Sequence, residues 1–210
     1  MKKKIIIIGG GGHAKVLIHI IKKNKSFNII GYIDPIDHGK ILGVRYLGDD
    51  NKLFELFKNN ITNAAIGIGQ VDLNEKRIRI TNKVKEIGYT IPPIISSKAV
   101  VNEDVQIDEG VQVFDGVIIN SGSIIHSFSI INTNATIEHD CNVGKFCHIA
   151  TSATICGGVE VDDKSMVGSG AVIVQYKKIA SNVLIGSGGV VIKDIIEPGI
   201  YVGNPVRKVK

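Results

Sequence analysis

Residues 125–154 read IHSFSI-INTNAT-IEHDCN-VGKFCH-IATSAT, five hexads that each open on isoleucine or valine. The step continues in both directions without an insertion, so that seventeen of seventeen opening positions from Ile95 to Val191 are Ile or Val. A second position, four residues after each opening residue, is small or aliphatic except at Lys177. Six residues cannot bury a face alone, so the pattern predicts units that stack into a solenoid.

A hexapeptide period is typical of a parallel β-helix, in which short strands lie about 4.8 Å above their equivalents one coil below. Three hexads make an 18-residue coil, and the seventeen hexads make nearly six coils. Cys141 and Cys147 occupy small positions and are therefore predicted to be buried thiols. Three cysteines without a CxxC spacing indicate neither a disulfide framework nor a zinc cluster.

The first 94 residues follow another pattern, in which strands alternate with helices and predict a small parallel sheet. The chain is therefore predicted to divide into an α/β domain, residues 1–94, and a β-helix domain, residues 95–210. The predicted strands of the first domain are Ile5–Ile8, Asn28–Asp34, Ala64–Ile68 and Tyr89–Ile94, and its predicted helices are His13–Lys23, Lys52–Asn59 and Leu73–Ile87.

The amino terminus, three lysines followed by Ile5–Ile8, resembles the start of a signal peptide. The glycines Gly9–Gly12 interrupt the apolar run before it is long enough, so we expect a cytoplasmic protein with no membrane insertion. The first domain carries 16 Lys+Arg against 8 Asp+Glu, which favours an anionic small ligand or nucleic acid. Lysines solvated on helix faces explain most of this surplus, and no nucleic-acid partner is expected.

A glycine motif, Gly9-x-Gly11-x-x-Ala14, follows the first predicted strand and opens a helix, with Asp34 twenty residues beyond Ala14. The spacing fits a dinucleotide-binding fingerprint, in which glycines let a phosphate approach the helix N-terminus and the acid holds a ribose hydroxyl. A domain of this size has room for only a Rossmann-like half. A mononucleotide part, such as a uridine diphosphate, is therefore favoured over NAD.

These motifs, taken in order with Ile137–Cys141 (IEHDC), Phe146–His148 (FCH) and the tail Val202–Arg207 (VGNPVR), resemble one family over essentially the whole chain. It is the group of bacterial sugar acetyltransferases that includes the bacillosamine-pathway and perosamine N-acetyltransferases and the sialic acid O-acetyltransferases. The resemblance implies a left-handed β-helix, an exception to the right-handed crossover rule. It also implies a homotrimer that uses acetyl-CoA as co-substrate.

Acetyl transfer needs a base for the attacking amine or hydroxyl, and histidine suits this role because the ordinary pKa of an imidazole is about 6.5. The resemblance assigns His139 as the base and Asp140 as the carboxylate that orients it, with Glu138 as the alternative orienting acid. Gly157 should lie one coil above His139. A bare glycine there leaves room for a thioester and a backbone N–H for the developing oxyanion.

By resemblance, His148 contacts the acetyl group or thioester of the cofactor, and Ser169 and Ser187 line the pantetheine groove. The alternative for His148 is a structural histidine at a corner, held by a hydrogen bond. The alternative for the two serines is that they only form tight corners between glycines. A zinc site on His126, His139 and His148 is a further alternative. Gaps of 13 and 9 residues do not place three imidazoles in one column, so no metal is expected.

The resemblance also implies that His13 and Asp34 contact a nucleotide-sugar, with Gly11 and Gly12 cradling it. Gly69 and Gln70, after the third predicted strand, would approach the base. Pro35 stands where some family members have a second acid, which leaves the nucleotide base open.

The expected function is transfer of acetyl from acetyl-CoA to the amino group of a UDP- or GDP-linked 4-amino-4,6-dideoxy sugar. One alternative is O-acetylation of a sialic acid or related nonulosonate. Another is a non-catalytic scaffold that binds sugar nucleotides.

Overall fold

The computed structural model describes residues 2–70, 73 and 75–210. Two compact units are present, the first built from residues 2–70 and 75–97 and the second from residues 98–210. Within those described ranges, no helix is both long enough and apolar enough to cross a membrane.

The first unit contains a three-stranded parallel sheet with the strand order β2-β1-β3. Isoleucines Ile5–Ile8 lie in the central strand and are at most 1% exposed, because helices pack on an apolar run that has no polar face. The elements are β1 (Lys3–Ile8), α1 (Gly12–Asn24), β2 (Phe27–Ile33), a 3-10 turn (Asp50–Lys52), α2 (Leu53–Lys58), β3 (Asn63–Ile66) and α3 (Lys76–Ile87).

Two predictions for the first unit need correction. The strand predicted over Tyr89–Ile94 is wrong, since Thr90 forms only a single bridge to Asn63 and the next strand is the two-residue Ile94–Ile95. Pro92 and Pro93 supply no N–H to a sheet, which explains the interruption. The third helix begins at Lys76 rather than Leu73, and Asn74 lies outside the described residues.

The second unit is a parallel β-solenoid whose coils repeat every 18 residues, as the hexad pattern predicts. Thr136 pairs with Thr154, and Asn142 pairs with Glu160, each across one coil. The coils present three flat sheets, here called faces 1, 2 and 3 in the order in which the chain visits them.

The strands of the solenoid are two residues long, except near its C-terminal end. On face 1 they are Val100–Val101, Ile118–Ile119, Thr136–Ile137, Thr154–Ile155, Val172–Ile173 and Val190–Val191; on face 2, Gln106–Ile107, Ile124–Ile125, Asn142–Val143, Glu160–Val161 and Lys178–Ile179; on face 3, Gln112–Val113, Ile130–Ile131, His148–Ile149, Met166–Val167, Val183–Ile185, Gly199–Gly203 and Val206–Lys208.

The opening residues of the hexads form the interior of the solenoid. From Val113 to Val191, all of them are at most 1% exposed, which confirms that the aliphatic positions point inward. Val101 and Ile107 are half-buried, since the first coil has a neighbouring coil of the solenoid on one side only. Burial of aliphatic side chains therefore holds the coils together.

Residues with a left-handed backbone conformation turn the chain at successive corners, and the hexad pattern did not predict them. Fourteen consecutive positions at a step of six residues have φ between 55° and 74°. Nine are Gly, Asn or Asp, which adopt this conformation at little cost. The fourteen are Gly110, Gly116, Gly122, Phe128, Asn134, Asp140, Phe146, Ser152, Gly158, Lys164, Gly170, Tyr176, Asn182 and Gly188.

Buried hydroxyls and thiols bridge neighbouring coils at the corners. Ser123 Oγ donates to the carbonyl of Glu138 at 2.7 Å and accepts the N–H of Cys141 at 3.1 Å. Cys141 and Cys147 occupy equivalent corner positions, and each Sγ donates to a carbonyl 15 residues later, that of Cys141 at 3.2 Å. The prediction that both cysteines are buried is confirmed.

A C-terminal hairpin covers the last coil. Gly199–Gly203 pairs in parallel with Val183–Ile185, and Val206–Lys208 folds back antiparallel through a cis Asn204–Pro205 bond. Lys208 also forms an ion pair with Glu197 at 2.8 Å. The hairpin therefore supplies a paired edge to the sheet of face 3.

The buried thiols should be unreactive in the folded protein. Burial raises the pKa of Cys147 to about 12 and also raises the pKa values of Cys141 and Cys156. Because the thiolate is the reactive form, we expect a disulfide reagent at pH 8 to modify the buried Cys141 and Cys147 slowly in the native state. It should titrate all three in guanidinium chloride. Rapid modification of native Cys147, located by mass spectrometry, would contradict this assignment.

The same pKa shift sets a stability trend at high pH. The unfolded chain releases the Cys147 proton near the ordinary thiol pKa, about 8.5, before the folded chain does. The contribution of this group to stability is therefore complete below that pH. It should be lost progressively as the pH rises towards 12, measured by denaturant unfolding.

Candidate active site

His139 and Asp140 form a hydrogen-bonded pair at the corner between faces 1 and 2. His139 Nδ1 lies 2.8 Å from Asp140 Oδ2, and 54% of the imidazole side chain is exposed. Asp140 adopts φ 58°, a conformation that aspartate tolerates, and its N–H donates to Ser121 O. The corner thus holds a solvent-accessible imidazole with a carboxylate on one ring nitrogen.

Gly157 lies against the His139 ring from the coil above. A methyl group at Gly157 would lie 2.5 Å from His139 Nε2 and 2.7 Å from Cε1, closer than any real contact. The space that glycine leaves is therefore occupied by the imidazole, whereas the sequence analysis reserved it for a thioester. The N–H of Gly157 donates to no acceptor in the part of the chain that the structure describes.

Gly122 has the equivalent relation to Asp140 from the coil below. A methyl group there would lie 2.4 Å from Asp140 Oδ1, and Gly122 itself has φ 74°. The His139–Asp140 pair is therefore enclosed by a glycine on each side along the solenoid axis. Sequence reasoning found Gly157 by counting 18 residues but missed Gly122.

Glu138, the alternative orienting acid, has another partner. Its Oε2 accepts a hydrogen bond from Asn120 Nδ2 at 2.9 Å, and Asn120 Oδ1 lies 3.4 Å from Asn102 Nδ2. These side chains form a polar ladder along face 1, one coil apart. Of the two acids that flank His139, Asp140 is the one that contacts its ring.

Tyr176 lies at the same corner, two coils above Asp140, and was not predicted. Its N–H donates to Gly157 O at 2.9 Å, and a methyl group at Gly158 would lie 2.4 Å from its Cδ1. The His139 imidazole and the Tyr176 ring therefore lie against two consecutive glycines. An aromatic residue at a position where the repeat has mostly Gly, Asn or Asp is the signal that could have found it.

His148 is not brought near His139 within one chain. It lies on face 3, opposite the corner that carries His139, and is 6% exposed. Asn132 Nδ2 lies 3.0 Å from His148 Nε2, while Asn132 Oδ1 accepts from the Thr133 N–H at 2.8 Å. Asn132 therefore fixes the orientation of the His148 ring from the coil below.

Ser169 and Ser187 are exposed and stacked at the corner between faces 3 and 1. The N–H of Gly188 donates to Ser169 O at 2.9 Å. Gly168, beside Ser169, has no room for a side chain, since a methyl group would lie 2.6 Å from Ser187 N. The two serines offer a narrow, small-residue strip that runs along the solenoid axis.

The three histidines of the solenoid that were weighed as metal ligands have separate partners. His126 Nδ1 lies 3.1 Å from Asp108 Oδ2, whereas His139 faces Asp140 and His148 faces Asn132. Over residues 2–70, 73 and 75–210, no three His, Cys, Asp or Glu side chains are grouped as metal ligands.

The outer side of the glycine loop of the first unit is not covered by any residue that the structure describes. Side chains at Gly11 and Gly12 would meet nothing within 4 Å, and α1 begins without a side-chain cap or an acidic residue in its first turn. His13, the second residue of α1, lies next to Gly69, where a methyl group would be 3.3 Å from His13 Nδ1. The fold therefore brings the predicted residues at the ends of β1 and β3 together.

Asp34 is directed at this loop. Its Oδ2 accepts the N–H of Gly10 at 2.7 Å, its Oδ1 accepts the N–H of Ile36 at 3.0 Å, and His38 Nε2 lies 3.4 Å from Oδ1. The carboxylate thus holds the glycine loop in place, a role that the sequence analysis did not foresee. His38, which also approaches Gly10, was missed.

A buried arginine holds the segment that follows β3. Arg77 of α3 is 2% exposed and donates to the carbonyls of Ile66 and Ile68, the latter at 2.7 Å. Burial lowers its pKa to about 9. Gln70, two residues beyond Ile68, is buried. The arginine thereby anchors the chain that leads from β3 to Gly69 and Gln70.

Part of the excess positive charge of the first unit is gathered in one cleft. A cleft of about 480 Å³ at the start of β2 is lined by Lys2, Lys22, Lys25, Lys40 and Arg45. The glycine loop follows the opposite ends of the strands, so the basic cleft and the loop are separate features.

Comparison with known proteins identifies both units. Residues 4–84 match the PglD N-terminal domain family. A histidine-to-asparagine mutant of perosamine N-acetyltransferase from Caulobacter crescentus, solved with CoA and GDP-perosamine, is 32% identical with a TM-score of 0.93. That match covers 99% of this chain and 97% of the other. The acetyltransferase domain of PglB from Neisseria gonorrhoeae, solved with acetyl coenzyme A, is 28% identical with a TM-score of 0.92 over the whole of both chains.

Curated relatives match only in part. The acyl-[acyl-carrier-protein]–UDP-N-acetylglucosamine O-acyltransferase of Agrobacterium fabrum is 29% identical over 72 residues, which are 34% of this chain and 27% of that protein. The chain spans about a quarter of the length of the curated relatives it matches. The near-complete superposition on the perosamine enzyme and the matching first unit nevertheless show the family. The chain belongs to the bacterial sugar acetyltransferases of the left-handed β-helix superfamily.

Proposed function

We propose that this protein transfers acetyl from acetyl-CoA to the amino group of a UDP- or GDP-linked 4-amino-4,6-dideoxy sugar. The observation that carries the proposal is the exposed His139–Asp140 pair on a fold shared with perosamine N-acetyltransferase. That enzyme was solved with CoA and GDP-perosamine, and the PglB domain with acetyl coenzyme A. An intact base with its carboxylate argues against a non-catalytic scaffold.

In the proposed reaction, His139 is the general base. Its Nδ1 proton is donated to Asp140 Oδ2, which leaves the Nε2 lone pair free to accept a proton from the attacking amine. The amine nitrogen bonds to the thioester carbonyl carbon, the carbon–sulfur bond breaks, and the proton leaves with CoA as its thiol. Asp140 selects the tautomer and stabilises the imidazolium that forms.

Gly157 has two roles in this proposal. Without a side chain, it lets the His139 ring pack against the coil above. Its N–H, which has no acceptor among the described residues, is available to the oxygen on which negative charge develops. The thioester would then lie beside the imidazole rather than in the space directly above it.

The cofactor contacts favour a homotrimer. His148 lies on the face opposite the His139 corner, so one chain cannot direct both histidines at one acetyl group. A neighbouring copy that presents its face 3 to this corner would supply the second histidine. Ser169 and Ser187 would then line the pantetheine arm, which small exposed residues allow to approach the backbone.

The first unit is proposed to hold the nucleotide of the acceptor. The uncapped start of α1, with Gly11, Gly12 and His13, suits a diphosphate because its N–H groups and helix dipole favour negative charge. Asp34 is proposed to serve the sugar nucleotide while it holds the loop. Gly69 and Gln70 would approach the base.

The choice between acceptors is tested by thiol release from acetyl-CoA with a panel of amino-sugar nucleotides and nonulosonates. Release only with a 4-amino-sugar nucleotide supports N-acetylation, and release with a sialic acid would instead select O-acetylation. A ligand-induced thermal shift without turnover would indicate a scaffold. A cytoplasmic location, where acetyl-CoA and nucleotide sugars are supplied, goes with the proposal.

The first prediction of this mechanism concerns the base. His139→Ala should lower kcat about 10²- to 10⁴-fold, the usual contribution of positioned proton transfer, while acetyl-CoA still binds. Asp140→Asn should lower it less, because the carboxylate orients the ring and takes no proton. A folded His139→Ala protein, checked by circular dichroism, that keeps more than about a tenth of kcat would mean that the base lies elsewhere.

Gly157→Ala supplies the geometric control for that prediction. Its methyl group must displace the imidazole, so kcat should fall although no polar group is removed. In the His139→Ala background the same change should cost nothing more, because the ring is already absent. Additive losses in the double variant would show that Gly157 acts independently of the histidine.

A second prediction tests the shared site. A trimer has three such sites. In a trimer that contains both His139→Ala and His148→Ala subunits, one of the three sites keeps both histidines. At equal, random mixing and low acetyl-CoA, about a quarter of wild-type activity should return. Each variant alone should be less active, and light scattering should report three subunits. No recovery in confirmed mixed trimers would place both histidines' roles within one chain.

A third prediction concerns the glycine loop. Gly12→Val should raise the KM for the sugar nucleotide and leave that for acetyl-CoA nearly unchanged, since a Cβ at Gly12 has no described neighbour within 4 Å and the added methyl groups would take the space proposed for the ligand. Gly10→Val is the matched contrast, because a methyl group there already clashes with His38 at 2.6 Å and should destabilise the unit. Equal damage to both substrates by Gly12→Val would argue against a nucleotide role.

A further inference from the structure

Tyr176 has an unusual conformation for its residue type. Its φ is 57°, in the left-handed region, where the Cβ of a bulky residue crowds the backbone. Its side chain nevertheless remains 69% exposed. A strained, exposed aromatic residue is not explained by burial of apolar surface, and strain of this kind accumulates at functional sites.

The surroundings of Tyr176 give its ring no structural partner. It forms no ring–ring contact, and its hydroxyl has no hydrogen bond to any residue that the structure describes. Its own N–H and the glycine beneath its ring hold the side chain in place. By contrast, Phe128 and Phe146, which share this backbone conformation at another corner, stack on each other at 4.9 Å.

The position of the ring relates it to His139. The imidazole lies against Gly157, and the phenol lies against Gly158, so the two rings stand on neighbouring residues of one coil. Asp140 leans towards Gly122 in the coil below, away from the coil of Gly157 and Gly158. The His139 ring approaches these two glycines from the coil below and the Tyr176 ring from the coil above, so the two rings converge on one side-chain-free segment from its two sides.

We propose that Tyr176 is the residue that positions the acceptor sugar, by stacking against its ring so that the amino group faces His139 Nε2. The inference rests on the proposed function and names a subsite for it. A dideoxy sugar presents an apolar C–H face and a methyl group, which pack on an aromatic ring. The unpaired Tyr176 hydroxyl can donate to a sugar oxygen at the edge of the same contact.

Tyr176→Asn tests this role without threatening the fold, because asparagine adopts the left-handed conformation more easily than tyrosine. We expect an unchanged or higher Tm. The KM for the amino-sugar nucleotide should rise about tenfold, with that for acetyl-CoA unchanged. Tyr176→Phe should retain most of the binding because it keeps the ring. Lys164→Asn, at an equivalent φ of 61° on another corner, is the matched control and should change neither KM.

Equilibrium binding separates this inference from the proposed function. Tyr176→Asn should weaken the amino-sugar nucleotide and leave the affinity for the nucleoside diphosphate without its sugar unchanged. If the wild type acetylates an amino-sugar nucleotide and the variant binds both ligands normally, the stacking role is wrong. A rise in the KM of acetyl-CoA instead would assign the ring to the donor and also overturn it. Failure of the wild type to acetylate any amino sugar refutes the proposed function and, with it, an acceptor role for Tyr176.

Discussion

The stacking of each coil on the next at an 18-residue step is the constraint on which the rest of the structure depends. Backbone N–H groups of one coil donate to carbonyls of the next, as from Thr136 to Ala153 and from Glu138 to Ile155, both at 2.9 Å. Every side chain therefore has its neighbours 18 residues before and after it, about 4.8 Å away. The interior is filled with aliphatic residues because the same interior position recurs in each coil.

At the corners, this spacing decides which large side chains the surface can carry. With coils about 4.8 Å apart, a side chain that leans along the solenoid axis takes the space of the residue one coil away. Gly122 opposite Asp140, Gly157 opposite His139 and Gly158 opposite Tyr176 all follow this rule. These glycines are needed for the neighbour's side chain, and Gly157 does not have a positive φ at all. The candidate site thus consists of the particular residues that successive coils place at the corner between faces 1 and 2.

In the first unit, close packing and hydrogen bonds support the glycine loop. Gly67 packs so closely on Ile7 and Ala14 that a methyl group would lie 2.8 and 2.9 Å from their side chains. Asp34 and Arg77 then tie the segments that follow the strands through hydrogen bonds to backbone groups. No described residue lies within 4 Å of a Cβ placed at Gly11 or Gly12. A rigid frame around an unobstructed glycine loop is what a phosphate-binding site requires.

The sequence by itself determined the solenoid, its coil length and the stacking of Gly157 on His139, because a strict period of six residues with aliphatic anchors buries its apolar side chains when three hexads form each stacked coil. It also indicated the parallel sheet of the first unit, but it placed a strand over Tyr89–Ile94 that two prolines prevent. Only the tertiary structure decided that Asp140 rather than Glu138 faces His139, and that Tyr176 leans on the glycine next to the one that the His139 ring contacts. The physical reason is that a side chain's direction at a corner follows from the local φ and from the residue one coil away. The hexad pattern specifies inward positions and leaves both of those open.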